Sequence, residues 1–100
     1  MIDLNFTFDA ELWRWQSEKA AWYFVTLPVD DAAQISFTRE RKAGFGSVRV
    51  SVTIGETVWK TSVFPSKESD SYLLPIKADV RKKEKIDAGD MVRVTVRVVD

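Results

Sequence analysis

The sequence predicts a mainly β protein: a small closed or partly closed antiparallel β-barrel of six to seven strands with two short helices. Three observations carry that expectation. In residues 47–54, Val48, Val50, Val52 and Ile54 share one face against Arg49, Ser51 and Thr53. In residues 91–98, Val92, Val94, Val96 and Val98 do the same against Arg93, Thr95 and Arg97. A period of two with one β-branched face marks a strand with one side in a core and the other in water. Thirdly, the strand segments fall into neighbouring hairpins. A barrel is then favoured over an open sheet, whose edges would be a liability.

Taken in order, residues 2–8 alternate Ile2, Leu4, Phe6 and Phe8 against Asp3, Asn5 and Thr7. Residues 10–15 prolong this bulky pattern through Leu12, Trp13 and Trp15, after a bend. Residues 21–27 are aromatic and β-branched on both faces, Trp22 and Phe24 against Tyr23, Val25 and Leu27, which suits a strand covered on both sides. Pro28 stops it. Asp30 or Asp31 can cap a short helix over residues 32–37 with Ile35 and Phe37 as buried anchors. Alternation of Ala33, Ile35 and Phe37 leaves a strand open there.

Residues 39–42 read as a charged loop leading to Gly44-Phe45-Gly46. Gly55-Glu56 joins residues 47–54 to 57–64, and Gly in first position favours a type II′ hairpin turn. Pro65 ends that hairpin, residues 66–71 form a polar loop, and Tyr72-Leu73-Leu74 is a short strand closed by Pro75. Residues 77–85 read as a helix with Ile76 and Val80 inward, and Ala88-Gly89-Asp90 turns the chain into the last strand.

One hundred residues make one domain, spanning 1–100. Four Trp, six Phe and two Tyr supply a core amply. Cys and His are both absent, which excludes disulfides, thiolate nucleophiles, Cys-ligated zinc and the usual general base near neutral pH. Up to Thr38 six acids face two cations, and from Arg39 onward thirteen cations face nine acids, so −4 is followed by +4. Such asymmetry points to an anionic partner, or simply to two halves whose charges mix on one surface. The N-terminus has no basic, apolar signal pattern and no run long enough to span a bilayer, so the expected setting is cytoplasmic without membrane association.

The run Trp22-Tyr23-Phe24-Val25-Thr26-Leu27-Pro28, followed by Gly44-Phe45-Gly46-Ser47-Val48, resembles the bacterial DUF1905 family. So do Trp59-Lys60-Thr61-Ser62-Val63-Phe64-Pro65, Tyr72-Leu73-Leu74-Pro75-Ile76-Lys77, Val80-Arg81-Lys82 and Gly89-Asp90-Met91-Val92. Together these segments run from Trp22 almost to the C-terminus. The resemblance implies a pseudobarrel of the double-split type, similar in architecture to AbrB-like regulators and MazE-like antitoxins. It implies no established activity.

Three segments are candidates for binding. Lys60 and Ser62 share one strand face beside Trp59, where they can hold a polar or anionic ligand, or Ser62 simply bonds a neighbouring backbone group. As nucleophile and base the pair would need a desolvated Lys, which strand spacing does not supply. Lys77 and Arg81 lie one helical turn apart as a cationic ridge, to which Lys82, Lys83 and Lys85 add, or form an ordinary solvated face. Arg81 stands out, able to grip a carboxylate or phosphate bidentately or to bridge Asp79 or Asp90. Arg41, Lys42 and Phe45 sit in a Gly-flanked loop suited to a flat or anionic ligand, or Phe45 plugs the barrel end. Asp79, Asp87 and Asp90 match no calcium-loop pattern, and Gly89-Asp90 reads more simply as a turn.

The function expected is a non-catalytic binding or interaction module, monomeric or homodimeric, without cofactor or metal. Its partner is an anionic small molecule or protein met at Arg41, Lys42, Phe45, Lys60, Ser62, Lys77 and Arg81. A dimeric AbrB-like nucleic-acid regulator is the less favoured alternative, because a pI near 6.3 lacks the usual basic footprint. An enzyme built on Ser62, Asp90 or Arg81 is less favoured still.

Overall fold

The computed structural model describes residues 4–39 and 46–99. Among them seven antiparallel strands form one curled sheet, a half-barrel, with two short helices. The strands are β1 (Asn5–Glu11), β2 (Trp13–Gln16), β3 (Ala21–Thr26), β4 (Val48–Ile54), β5 (Thr57–Ser66), β6 (Ser71–Pro75) and β7 (Met91–Val98). The helices are α1 (Val29–Arg39) and α2 (Ala78–Glu84).

The spatial order is β1-β7-β4-β5-β6-β3-β2, so β1 and β2 are consecutive in sequence yet occupy opposite ends of the sheet. The hinge between them is the expected bend, and it falls on Leu12. That side chain is fully buried, its N–H donates to Asp90 O at 2.9 Å, and its carbonyl accepts from Gly89 N at 2.8 Å. One long bent strand therefore curls the sheet and brings its ends together. The acidic and basic parts of the chain fold as one unit: β1 lies along β7 from Asn5↔Arg97 to Glu11↔Met91.

Alternation decides the core. Val48, Val50, Val52 and Ile54 of β4 and Val92, Val94 and Val96 of β7 are buried. Phe6, Phe8, Val25, Val63, Leu74, Leu27, Ile35, Ile76 and Val80 complete it. The Gly55-Glu56 connection has positive φ at its first residue only, +57° at Gly55, as a type II′ turn requires. Asp87 N donates to Asp90 Oδ2 at 2.8 Å and Asp90 N to Asp87 O at 3.0 Å, closing the turn before β7. Gly89 takes φ +95° in that turn.

Four expectations need correction. None of the four tryptophans is buried, and the centre is mainly aliphatic, with Phe6, Phe8 and Tyr72 its aromatic members. β3 is covered on one side only: Val25 is buried whereas Trp22 is 53% exposed. The helix expected after Pro28 forms over Val29–Arg39, but Asp30 and Asp31 lie inside its first turn rather than capping it, and Phe37 is 75% exposed rather than buried. Two positions apart on a helix are about 200° apart around it, so Ile35 and Phe37 cannot both face the core. Finally, Pro65 does not end β5. It pairs opposite Tyr72 after β4 has stopped at Val48↔Val63, so its missing N–H costs no bond to β4.

Candidate binding cleft in the split of the sheet

β6 is short, and that shortness makes a gap. β3 pairs with β6 only at Phe24, Val25 and Thr26, and β5 pairs with β6 only at Phe64, Pro65 and Ser66. Beyond those ladders, Ala21–Tyr23 and Trp59–Thr61 diverge, and the chain leaving Pro75 crosses between them. Ile76 N donates to Tyr23 O at 2.8 Å, and Lys77 then caps α2. The result is a cleft of about 300 Å³ with Trp22, Tyr23, Trp59, Lys60, Lys77 and Arg81 among its lining residues.

The side chains around it follow from register. Val50↔Thr61 and Val52↔Trp59 put Thr61 and Trp59 on the core face, so Lys60 takes the outer one. Lys77 and Arg81 are one turn apart across the start of α2, and both reach the cleft. Among the described residues three cations line it, and no acid does. Arg81 is held on two sides. Its guanidinium carbon sits 3.6 Å from the centre of the Tyr23 ring, and its Nε donates to Ile76 O at 3.2 Å. Among the described residues it bridges neither Asp79 nor Asp90, and the N–H groups of its two terminal nitrogens have no partner. A planar cation pinned at Nε and backed by an aromatic face presents its remaining fork outward, the arrangement that grips carboxylate or phosphate.

Of the seven residues singled out from sequence, Lys60, Lys77 and Arg81 converge here. Ser62 shares the Lys60 face but stands opposite Arg49 and does not line the cleft. Arg41, Lys42 and Phe45 lie outside the described residues. Tyr23 and Trp22 were not anticipated as site residues. The signal for both was the aromatic character of both faces of residues 21–27.

The outer face beside this cleft was also not anticipated. Trp13↔Phe24 and Trp15↔Trp22 are cross-strand pairs on one face, which continues through Phe24↔Pro75 and Leu73 to Phe64. Trp13 Nε1 donates to Thr26 Oγ1 at 2.9 Å, and the Trp13 and Phe24 rings lie 5.2 Å apart at 38°. These residues wall an open groove of about 600 Å³. Among the described residues no group of three Asp or Glu is placed to hold a metal ion, and no helix is long and apolar enough to cross a membrane.

Fold and cleft together define a small β half-barrel whose split sheet carries a cationic, aromatic-backed recess. The family model described as Domain of unknown function (DUF1905) matches residues 8–96, nearly the whole chain. The protein belongs to that family. No curated protein matches the chain.

Proposed function

We propose that this protein is a non-catalytic binding module whose ligand is an anion held in the cleft of Lys60, Lys77 and Arg81. The observation that carries the reading is the Arg81 guanidinium, stacked on Tyr23 and tied to Ile76 O, with its terminal N–H groups uncommitted among the described residues. Holding a guanidinium in place before binding lowers the ordering cost of gripping a carboxylate or phosphate. The lack of a lining acid among the described residues supports the same reading, since none of them repels an anion. With neither His nor Cys in the chain, and no group of three carboxylates placed to hold a metal among the described residues, binding is a better fit than acid–base or nucleophilic chemistry.

An NMR titration of the ¹⁵N-labelled protein with inorganic phosphate, nucleotides, phosphosugars and short acidic peptides tests it. Amides of Lys60, Thr61, Lys77 and Arg81 should move together in a saturable way for at least one of these anions. Shifts absent from all of them at millimolar ligand would overturn the reading. The nucleic-acid alternative has its own test: duplex DNA anisotropy at about 50 mM salt, where even weak phosphate binding is strong.

A further inference from the structure

The cationic cleft and the aromatic groove share two wall residues, Trp22 and Pro75. They therefore meet at those two residues, the groove on the outer face of the sheet and the cleft in the split beside it. At one end stand Lys60, Lys77 and Arg81. In the middle, Trp22, Trp15 and Phe64 are 53%, 49% and 46% exposed, large apolar faces with no cover. At the far end stands Glu68, the one charged residue lining the groove among the described residues, beside Ser69. The Ser69 Oγ is buried and has no hydrogen-bond partner among the described residues.

We infer that groove and cleft form one site for an amphipathic anion, with its carboxylate or phosphate head on Arg81 and its apolar body along Trp22, Phe24 and Phe64. This extends the anion-binding reading above and rests on it. Three observations fix the occupant's chemistry. The cleft supplies only positive charge to the head. The groove, at about 600 Å³, falls within the range that encloses small organic ligands, and its walls are mainly aromatic. The charge gradient sets the direction: Glu68 at the far end repels an anionic head and leaves that end to the tail. An inorganic anion would use the cleft and leave the aromatic faces wet.

The test uses the full chain, tryptophan fluorescence and calorimetry, with monomeric dodecanoate as probe against butyrate and dodecyltrimethylammonium. Dodecanoate should change the tryptophan emission and bind at least tenfold more tightly than butyrate, and the cationic analogue should bind at least tenfold more weakly than dodecanoate. Arg81→Gln and Trp22→Ala, both at residues outside the buried core, should each weaken dodecanoate about tenfold, with a native-like amide spectrum in each variant showing that the loss is local. If butyrate and phosphate move the Arg81 and Lys77 amides but dodecanoate gains nothing, the extension into the groove fails and the cleft reading survives. If no anion binds, both fail. Equal binding of the cationic analogue, dodecanoate affinity insensitive to Arg81→Gln, binding only to phospholipid vesicles, or a sedimenting dimer abolished by Trp22→Ala would each overturn the amphipathic-anion site.

Discussion

Arg81 and Tyr23 come from elements more than fifty residues apart, yet the guanidinium carbon lies 3.6 Å from the ring centre. The contact joins α2 to the end of β3 that β6 leaves unpaired, across the split that makes the cleft. Tyr23 is half-buried, and its other neighbour Arg14 stands further off, 6.0 Å from the same ring. The Arg81 pairing is therefore the tight one, and it orders the cation before any ligand arrives.

Two substitutions separate its parts. Tyr23→Leu keeps an apolar side chain but removes the aromatic face, and should lower unfolding stability by about 1 kcal/mol. Arg81→Lys keeps the charge but removes the planar fork and the bond to Ile76 O. It should weaken phosphate binding more than Tyr23→Leu does, roughly tenfold against two- to threefold. Urea melts and phosphate titrations of the two variants check the order; phosphate affinity unchanged in Arg81→Lys would mean that charge alone matters.

Asp9 and Asp31 should respond to pH in opposite senses. The Arg93 guanidinium, hydrogen-bonded to Asp9 at 2.9 Å and 3.3 Å, holds the Asp9 carboxyl below its ordinary range. That contribution is present above the unfolded pKa and is lost as pH falls through the folded one. Asp31 is pushed upward, first by burial and then by the charge of Asp30. Its native state binds the proton more tightly, so stability falls as pH rises from the unfolded to the folded pKa. Asp9→Asn should therefore lower the melting temperature at pH 7 and converge on wild type only as pH falls below the ordinary Asp value. Asp31→Asn should raise it at pH 7, a gain that fades as pH falls toward that value from above. Melting curves of both variants across the acid range check the two signs.

At the β4–β5 turn, Gly55 has φ +57°, and a Cβ built there would overlap the carboxylate of Glu84. Glu84 accepts a hydrogen bond from Thr57 Oγ1 at 2.6 Å, so the tip of α2 is anchored to the turn. Gly55→Ala should cost more than the roughly 1 kcal/mol of an unfavourable backbone region alone, because Glu84 must also leave Thr57. Adding Glu84→Ala clears the overlap but not the backbone strain. The double variant should thus be less destabilised than the sum of the two single ones, as denaturant midpoints will report.

The strands were legible because alternation is a local signal that tertiary packing obeyed. β4 and β7 run over Val48–Ile54 and Met91–Val98, within one residue of their periodic patterns. The turn at Gly55, the helix after Ile76 and the bend near Leu12 were equally legible, each from residues adjacent in sequence. Lys77 and Arg81 could be paired from helical spacing. Their meeting with Lys60 could not, because it depends on β6 being too short to fill the gap between β3 and β5. Aromatic residues misled for a physical reason. Burial propensity says that Trp22 and Phe37 gain by leaving water, but not which face of an element the rest of the fold covers. Trp22 sits on the uncovered face of β3, and Phe37 on the side of α1 away from Ile35.

That distinction yields a contrast in stability. Leu12 is fully buried at the hinge between β1 and β2, with both its backbone groups bonded to the turn before β7. Leu12→Ala keeps those bonds but leaves a cavity where the two ends of the sheet meet, and should cost about 3 kcal/mol. Trp22→Ala deletes a far larger side chain from an open face and should cost under about 1 kcal/mol. Phe37→Ser, on the exposed side of α1, should fall within about 0.5 kcal/mol of wild type. Equilibrium urea unfolding of the three variants reads the order directly. If Trp22→Ala instead proved as damaging as Leu12→Ala, the tryptophan face would be structural, packed against something in solution, and no longer free to receive a ligand.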